Sequence, residues 1–211
     1  DQILEDLEYL DFEENVKAII ITVDSPGGTT VSAEEIFLKI RSISLNKPIV
    51  VVMKNIATSG AYLVSIGADR VFARENTITG SVGVLLQWAR IDQGLEKLGI
   101  EMKEVKRGKL KAEPDLFGES DEEALVLTQK IVDETYAWFL NLVTERRRIG
   151  DYAISLLSDG RIFTGRQALD LNLIDEIGGN SEAKLWLIEN REINISSSEI
   201  RKQRKKLRGS Y

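Results

Sequence analysis

The chain contains neither cysteine nor histidine, and these two absences remove more chemistry than any average of composition. Without cysteine there is no disulfide and no thiolate nucleophile. Without histidine there is no Ser-His-Asp triad, and with both missing there is no zinc site of the His or Cys kind. A serine nucleophile in this chain therefore needs another base, and lysine leads the candidates. The lack of cysteine permits an oxidising compartment without identifying one. No run of 18 or more apolar residues occurs, so no segment here spans a bilayer. The start at Asp1 shows no signal-peptide pattern either, and the expectation is a soluble fragment from which an N-terminal membrane anchor has been trimmed. A net charge of -6 argues against a general nucleic-acid binder, which carries a basic field or face.

What is present fits one α/β domain. The 211 residues, 43% of them hydrophobic, suffice for a shared core. Ala18-Ile19-Ile20-Ile21 lies within a strand expected over 16–23, apolar on both faces like a strand covered by helices on either side. It breaks at Asp24-Ser25-Pro26-Gly27-Gly28. Helical spacing follows at Ala33, Ile36, Phe37, Ile40 and Ile43, with Ser32 and Glu35 placed like a capping box. A second buried strand over 49–53 leads through Ser59-Gly60-Ala61-Tyr62 into another helical stretch toward Ala68. The β-α-β-α alternation implies a parallel sheet with right-handed crossovers. Extended pieces are expected over 71–72, 82–86 and 100–105, with a helix over 92–98. Residues 106–120 form a polar loop of functional length. A long helix over about 121–148 opens on a second capping-box pattern, Ser120 with Glu123, and ends at Arg146-Arg147-Arg148 before Gly150. A last helix covers about 181–190. The expected domain is 1–195, followed by a basic tail over 196–211.

Three features can carry chemistry, and each alone admits an ordinary structural explanation. Gly27-Gly28 lies where a strand gives way to a helix, so its backbone N–H groups can approach a phosphate or an oxyanion, or simply make a tight turn. Ser59 lies at the carboxyl end of a strand and the start of a helix, where it is a nucleophile or a plain cap. Lys103, Lys106, Lys109 and Lys111 share one stretch. A catalytic lysine must be neutral to accept a proton, which requires burial and no carboxylate partner. Spacing does not select among the four.

The ordered set Asp24-Ser25-Pro26-Gly27-Gly28, Ala57-Thr58-Ser59-Gly60-Ala61-Tyr62, Thr79-Gly80-Ser81-Val82-Gly83-Val84 and Gly108-Lys109-Leu110-Lys111 resembles the signal peptide peptidase A (SppA) family, peptidase family S49. The stretch from Gly160 to Asp175 resembles that family's later motif, so the likeness covers about residues 16–180. It implies a Ser-Lys serine endopeptidase with Ser59 as nucleophile, Lys111 as base and Ser81 orienting the lysine amine. Gly27, Gly28 and Gly60 would form the oxyanion hole. No metal or cofactor is implied. The resemblance also implies a crotonase/Clp protease-like βαβ spiral with a long helical extension, remnant signal peptides and other extended apolar peptides as substrates, and a ring-shaped homo-oligomer, an octamer by precedent. Serine and lysine can then come from neighbouring subunits. The implied location is the bacterial cytoplasmic membrane, with the catalytic domain on the extracytoplasmic, periplasmic side. Glu113, two residues from Lys111, is expected to point away from it, because a nearby carboxylate raises a lysine pKa. The basic tail suits either a solvated end or attraction to anionic lipid.

Two other readings remain. Crotonase-like proteins also act on acyl-CoA, but the acid-base carboxylates that chemistry calls for are not found beside Ser59 or Ser81. A non-catalytic oligomeric scaffold would keep the architecture and ignore a serine-directed acylating probe.

Overall fold

The computed structural model describes residues 2–191 and Ile193; the basic tail lies outside them. The central element is β2 (Ile49–Thr58), whose first five residues are all buried. Along one edge it pairs in parallel with β1 (Ile19–Ser25), from Ile19 opposite Ile49 to Val23 opposite Met53; the register then shifts so that Ser25 meets Ala57. Along its length it also changes partners. Val50 to Val52 pair with β3 (Arg70–Ala73), and Ile56 to Thr58 pair with β4 (Ile78–Gly80), both in parallel. β6 (Glu176–Ile177) adds in parallel to β3, while β5 (Ile162–Thr164) adds antiparallel to β4. The class is α/β, with a predominantly parallel sheet.

The doubly covered strand is β2 and not β1. In β1 only Ile19 and Val23 are buried, Ile20 and Ile21 are half-buried, and Thr22 and Asp24 are exposed. Among the described residues β1 pairs with β2 alone, so it is an edge strand, and its unbroken apolar run does not distinguish an edge from a centre.

The helices are α1 (Gln2–Phe12), α2 (Thr30–Ile43), α3 (Gly60–Ser65), α4 (Asp92–Lys97), α5 (Glu122–Arg147), α6 (Asp151–Leu157), α7 (Gly165–Asp170) and α8 (Asn180–Arg191). Among the described residues, 2–83 with 139–191 form one compact unit and 84–138 a second, with α5 divided between them. Helix α2 buries Ala33, Phe37, Ile40 and Ile43, as the spacing leads one to expect. Its start differs: the helix begins at Thr30, and Ser32 is bonded by the Thr29 hydroxyl at 2.9 Å, so Ser32 and Glu35 make no capping box. At α5 the N–H of Glu123 goes to the Asp121 carboxylate at 2.9 Å, and Ser120 Oγ instead accepts from the Asp115 N–H at 3.0 Å. A true capping box opens α7, where Thr164 and Gln167 bond reciprocally.

Helices α1 and α6 are not announced by the sequence pattern. The end of α1 is fixed by tertiary contact: Lys47 Nζ donates to the carbonyls of Leu10, Asp11 and Glu13 at 2.8, 2.5 and 2.9 Å. The extended pieces expected over 82–86 and 100–105 are not strands, because apolar runs become strands only where an edge is available to pair. Among the described residues no helix is long and apolar enough to cross a membrane.

Candidate active site

The first unit gathers its motif residues at the carboxyl ends of β1, β2 and β4. β2 ends at Thr58 and α3 begins at Gly60, so the chain must reverse within one residue, Ser59. That residue adopts φ 54° and ψ -125°, a region that costs a side-chain-bearing residue about 1–3 kcal/mol and persists only when its surroundings impose it. Two bonds impose it here. The Ser59 N–H donates to the Gly80 carbonyl at 2.9 Å, and the Ser59 carbonyl accepts from the Leu63 N–H at 3.0 Å. The strand-to-helix elbow lifts the half-buried Ser59 hydroxyl out of the sheet. Among the described residues that hydroxyl has no hydrogen-bond partner.

Gly27 and Gly28 lie against this elbow. Gly27 has φ 116°, and a Cβ on it would come within 3.0 Å of both Ser59 Cβ and the Thr58 carbonyl oxygen, so no other residue fits. The Thr58 hydroxyl donates to the Pro26 carbonyl at 2.9 Å, fixing the turn over the end of β2. The N–H of Gly27 is consumed by Ser25 Oγ at 3.2 Å. Gly27 thus supplies room, not a donor. Gly28 N lies 3.3 Å from where a Cβ of Gly60 would stand, and the space beside Gly28 itself is open. Among the described residues neither the Gly28 nor the Gly60 N–H is spent on a hydrogen bond. The result is two unspent donors beside a half-buried, unbonded serine hydroxyl, an arrangement suited to a developing oxyanion.

Ser81 is brought to the same level. It follows β4, whose Gly80 is opposite Thr58 in register and bonds Ser59 through its carbonyl. Ser81 also has positive φ, 52°, and its N–H is held by the Arg161 carbonyl at 2.9 Å. Two strained serines therefore end adjacent parallel strands. A cavity of about 520 Å³ runs along the open edge of β1, walled by Ile3, Leu7, Ile20, Ile21 and Ile36 and reaching Gly28 and Gly60.

Lys111 belongs to the second unit, and the lysines of that unit differ in a way that spacing does not reveal. Lys109 Nζ is 3.0 Å from carboxylate oxygens of both Asp121 and Glu123; these bonds, that to Asp121 first, raise its pKa. Lys106 pairs with Glu104 at 3.2 Å and Glu113 at 3.6 Å, and the hydrogen bond to Glu104 chiefly raises its pKa as well. Lys103 pairs with Glu101 at 3.3 Å. Among the described residues the amine of Lys111 alone of the four has no carboxylate partner. Glu113 is engaged elsewhere: one oxygen faces Lys106, and the other accepts the Asp121 N–H at 3.3 Å. Lys111 is exposed, in the turn closed by its own N–H to the Gly108 carbonyl at 3.1 Å. No cluster able to hold a metal ion occurs among the described residues.

The family model described as peptidase family S49 matches residues 42–194. A candidate protease of Synechocystis sp. is 34% identical over 82% of this chain and 63% of its own length. A candidate signal peptide peptidase SppA of Enterococcus faecium is 36% identical over 85% of this chain and 53% of its own. The chloroplastic serine protease SPPA of Arabidopsis thaliana is 28% identical over 87% of this chain and 27% of its own. The chain thus spans between about half and two thirds of the length of the first two relatives, and about a quarter of the third.

Proposed function

Because the chain belongs to peptidase family S49, we propose that it is a serine-type endopeptidase in which Ser59 is the nucleophile and Lys111 the general base. The observation that carries this reading is the strained elbow at Ser59, with its hydroxyl unbonded beside the unspent N–H groups of Gly28 and Gly60. Ser59 Oγ attacks the peptide carbonyl as its proton passes to the neutral Lys111 amine, and the oxyanion is met by the two backbone donors. The protonated lysine returns that proton to the leaving amine. Water then hydrolyses the acyl-enzyme, with Lys111 again taking a proton. Ser81, tied to the elbow through Gly80, orients the amine.

The finer features belong to the same proposal. Partner exchange along β2 supports a crotonase/Clp protease-like spiral. The name of the Enterococcus faecium relative, a signal peptide peptidase, supports signal peptides as substrates; the proposal takes these to be remnants cleaved at the cytoplasmic membrane, on its extracytoplasmic side. The apolar cavity and the open edge of β1 suit an extended apolar segment, since a free strand edge supplies main-chain partners. The second unit exposes Leu85, Leu98, Val105, Val126 and Ile131, and apolar surface of this extent supports self-association into a ring. Assembly would also provide the burial that Lys111 lacks in the single chain.

The test is peptide hydrolysis by Ser59→Ala and Lys111→Ala. Both are expected to lose turnover with folding intact. Parent rates in both would refute the dyad, and tight acyl-CoA binding without peptide turnover would favour a crotonase-type enzyme.

A further inference from the structure

We propose that Arg146 is a positioning residue for the nucleophile, holding Ser59 in its strained elbow by gripping the far end of α3. The inference rests on the reading of Ser59 as nucleophile. Helix α3 has only six residues, about 9 Å at 1.5 Å per residue, and it begins on the residue after Ser59. So short a helix has little stability of its own and moves as one body, so a displacement at either end reaches the other. Its serine end is held by a single inter-strand bond, Ser59 N–H to the Gly80 carbonyl.

The opposite end is held far more heavily than a helix terminus requires. Arg146, in the last turn of α5, donates through Nε to the Ile66 carbonyl at 2.9 Å and through Nη2 to the Ala68 carbonyl at 3.0 Å. Arg41, from α2, donates through Nη1 to the Gly67 carbonyl between them at 3.2 Å. Three successive carbonyls thus receive two guanidinium groups. Water satisfies such carbonyls at an ordinary helix end, whereas here burial and the like charge of Arg41 oppose the cation of Arg146 and lower its pKa. The segment has no slack in which to drift. A Cβ on Gly67 would come within 3.0 Å of the Val64 carbonyl oxygen and 3.2 Å of Ile40 and Phe37 side-chain carbons. Tyr62, on the same helix, is anchored by its hydroxyl to the Leu173 carbonyl at 2.9 Å. Only a forked, planar donor reaches both Ile66 and Ala68; a lysine ammonium offers a single point of contact on a flexible stem.

The experiment compares Arg146→Ala, Arg146→Lys, Lys47→Ala and Ser59→Ala in the purified protein. It records kcat, KM, thermal midpoint and the rate of Ser59 labelling by a fluorophosphonate. A misplacement of about 1 Å at the reacting atom costs on the order of 100-fold in rate. Arg146→Ala is therefore expected to lower kcat and the labelling rate about 10- to 100-fold with KM within about twofold, and Arg146→Lys to recover part of the loss. Lys47→Ala, which removes three comparable carbonyl bonds at the end of α1, lowers the thermal midpoint and leaves kcat at the parent value. If Arg146→Ala does not fold, Arg146→Lys carries the test. Parent kcat and labelling rate in the folded Arg146 variants, with Ser59→Ala inactive, overturn the inference alone. Parent turnover in Ser59→Ala, or a parent protein neither active nor labelled, overturns the nucleophile reading and the inference with it.

Discussion

The two compact units solve opposite problems. The first carries nearly all the buried apolar residues and spends its polar atoms on fixing short segments: Thr58 on Pro26, Arg146 on Ile66 and Ala68, and Arg147 in a bidentate pair with Asp175 at 3.0 Å. In the second, Ala124 is the only buried residue among those described, while large apolar side chains from Leu85 to Ile131 face outward. On the proposed assignment the nucleophile and oxyanion donors belong to a unit that holds them still, and the base belongs to one with a single buried residue among those described. Strain at Ser59 can be sustained only in the first environment, because a soft surround would relax it. The second leaves Lys111 exposed, and on the proposed assignment cover by a neighbouring copy would be the step that couples activity to assembly.

The largest expected effect tests that division at its two ends. Ser59→Ala and Lys111→Ala should each lower kcat by about 10³-fold or more, since members of a catalytic pair fail together. Lys109→Ala, which removes an amine already committed to Asp121 and Glu123, should leave kcat near the parent value. Next, Ile131→Asp on the exposed face of α5 places a charge in the apolar surface of the second unit. It should reduce both the oligomeric mass seen by light scattering and the activity, with little change in the thermal midpoint of the first unit. Activity retained in a monomeric variant would break the link between cover and catalysis.

A smaller and graded effect is that of pH. If Lys111 is the base proposed, kcat/KM should rise with pH along a limb that Lys111→Ala abolishes; a flat profile from mildly acidic to alkaline pH contradicts the assignment. The smallest concerns Asp121, whose pKa is lowered chiefly by its hydrogen bond to Lys109. A depressed carboxylate pKa stabilises the fold above the ordinary carboxylate range, and the contribution disappears as pH falls through the depressed value. The pair is exposed, so Asp121→Asn should shift the acid unfolding profile only slightly.

The sequence reads best where covalent and steric rules act locally. The apolar run of β2, the Gly27-Gly28 turn and the step from strand to helix at Ser59 all follow from patterns a few residues long. Legibility fails where a distant partner decides. The run in β1 looks central but forms an edge, because nothing among the described residues pairs beyond it. Ser32 and Ser120 look like caps, yet Thr29 and Asp121 begin those helices, since the preceding turns deliver the chain at a different residue. Helix α1 depends on Lys47, 34 residues past Glu13, and no periodicity announces it. The choice of lysine belongs to the same class. Spacing treats Lys103, Lys106, Lys109 and Lys111 alike, and only the carboxylates facing the first three set the fourth apart. The grip of Arg146 on α3 is likewise invisible in sequence, where the arginine reads as an ordinary helix stop.

The most direct test of the account is the site and rate of fluorophosphonate labelling, mapped by mass spectrometry of the intact assembly with Lys111→Ala and Lys109→Ala beside the parent. One modified residue, Ser59, is expected, with labelling slowed strongly by Lys111→Ala and unchanged by Lys109→Ala. Modification at another serine, or labelling of Ser59 at the parent rate without Lys111, would contradict it.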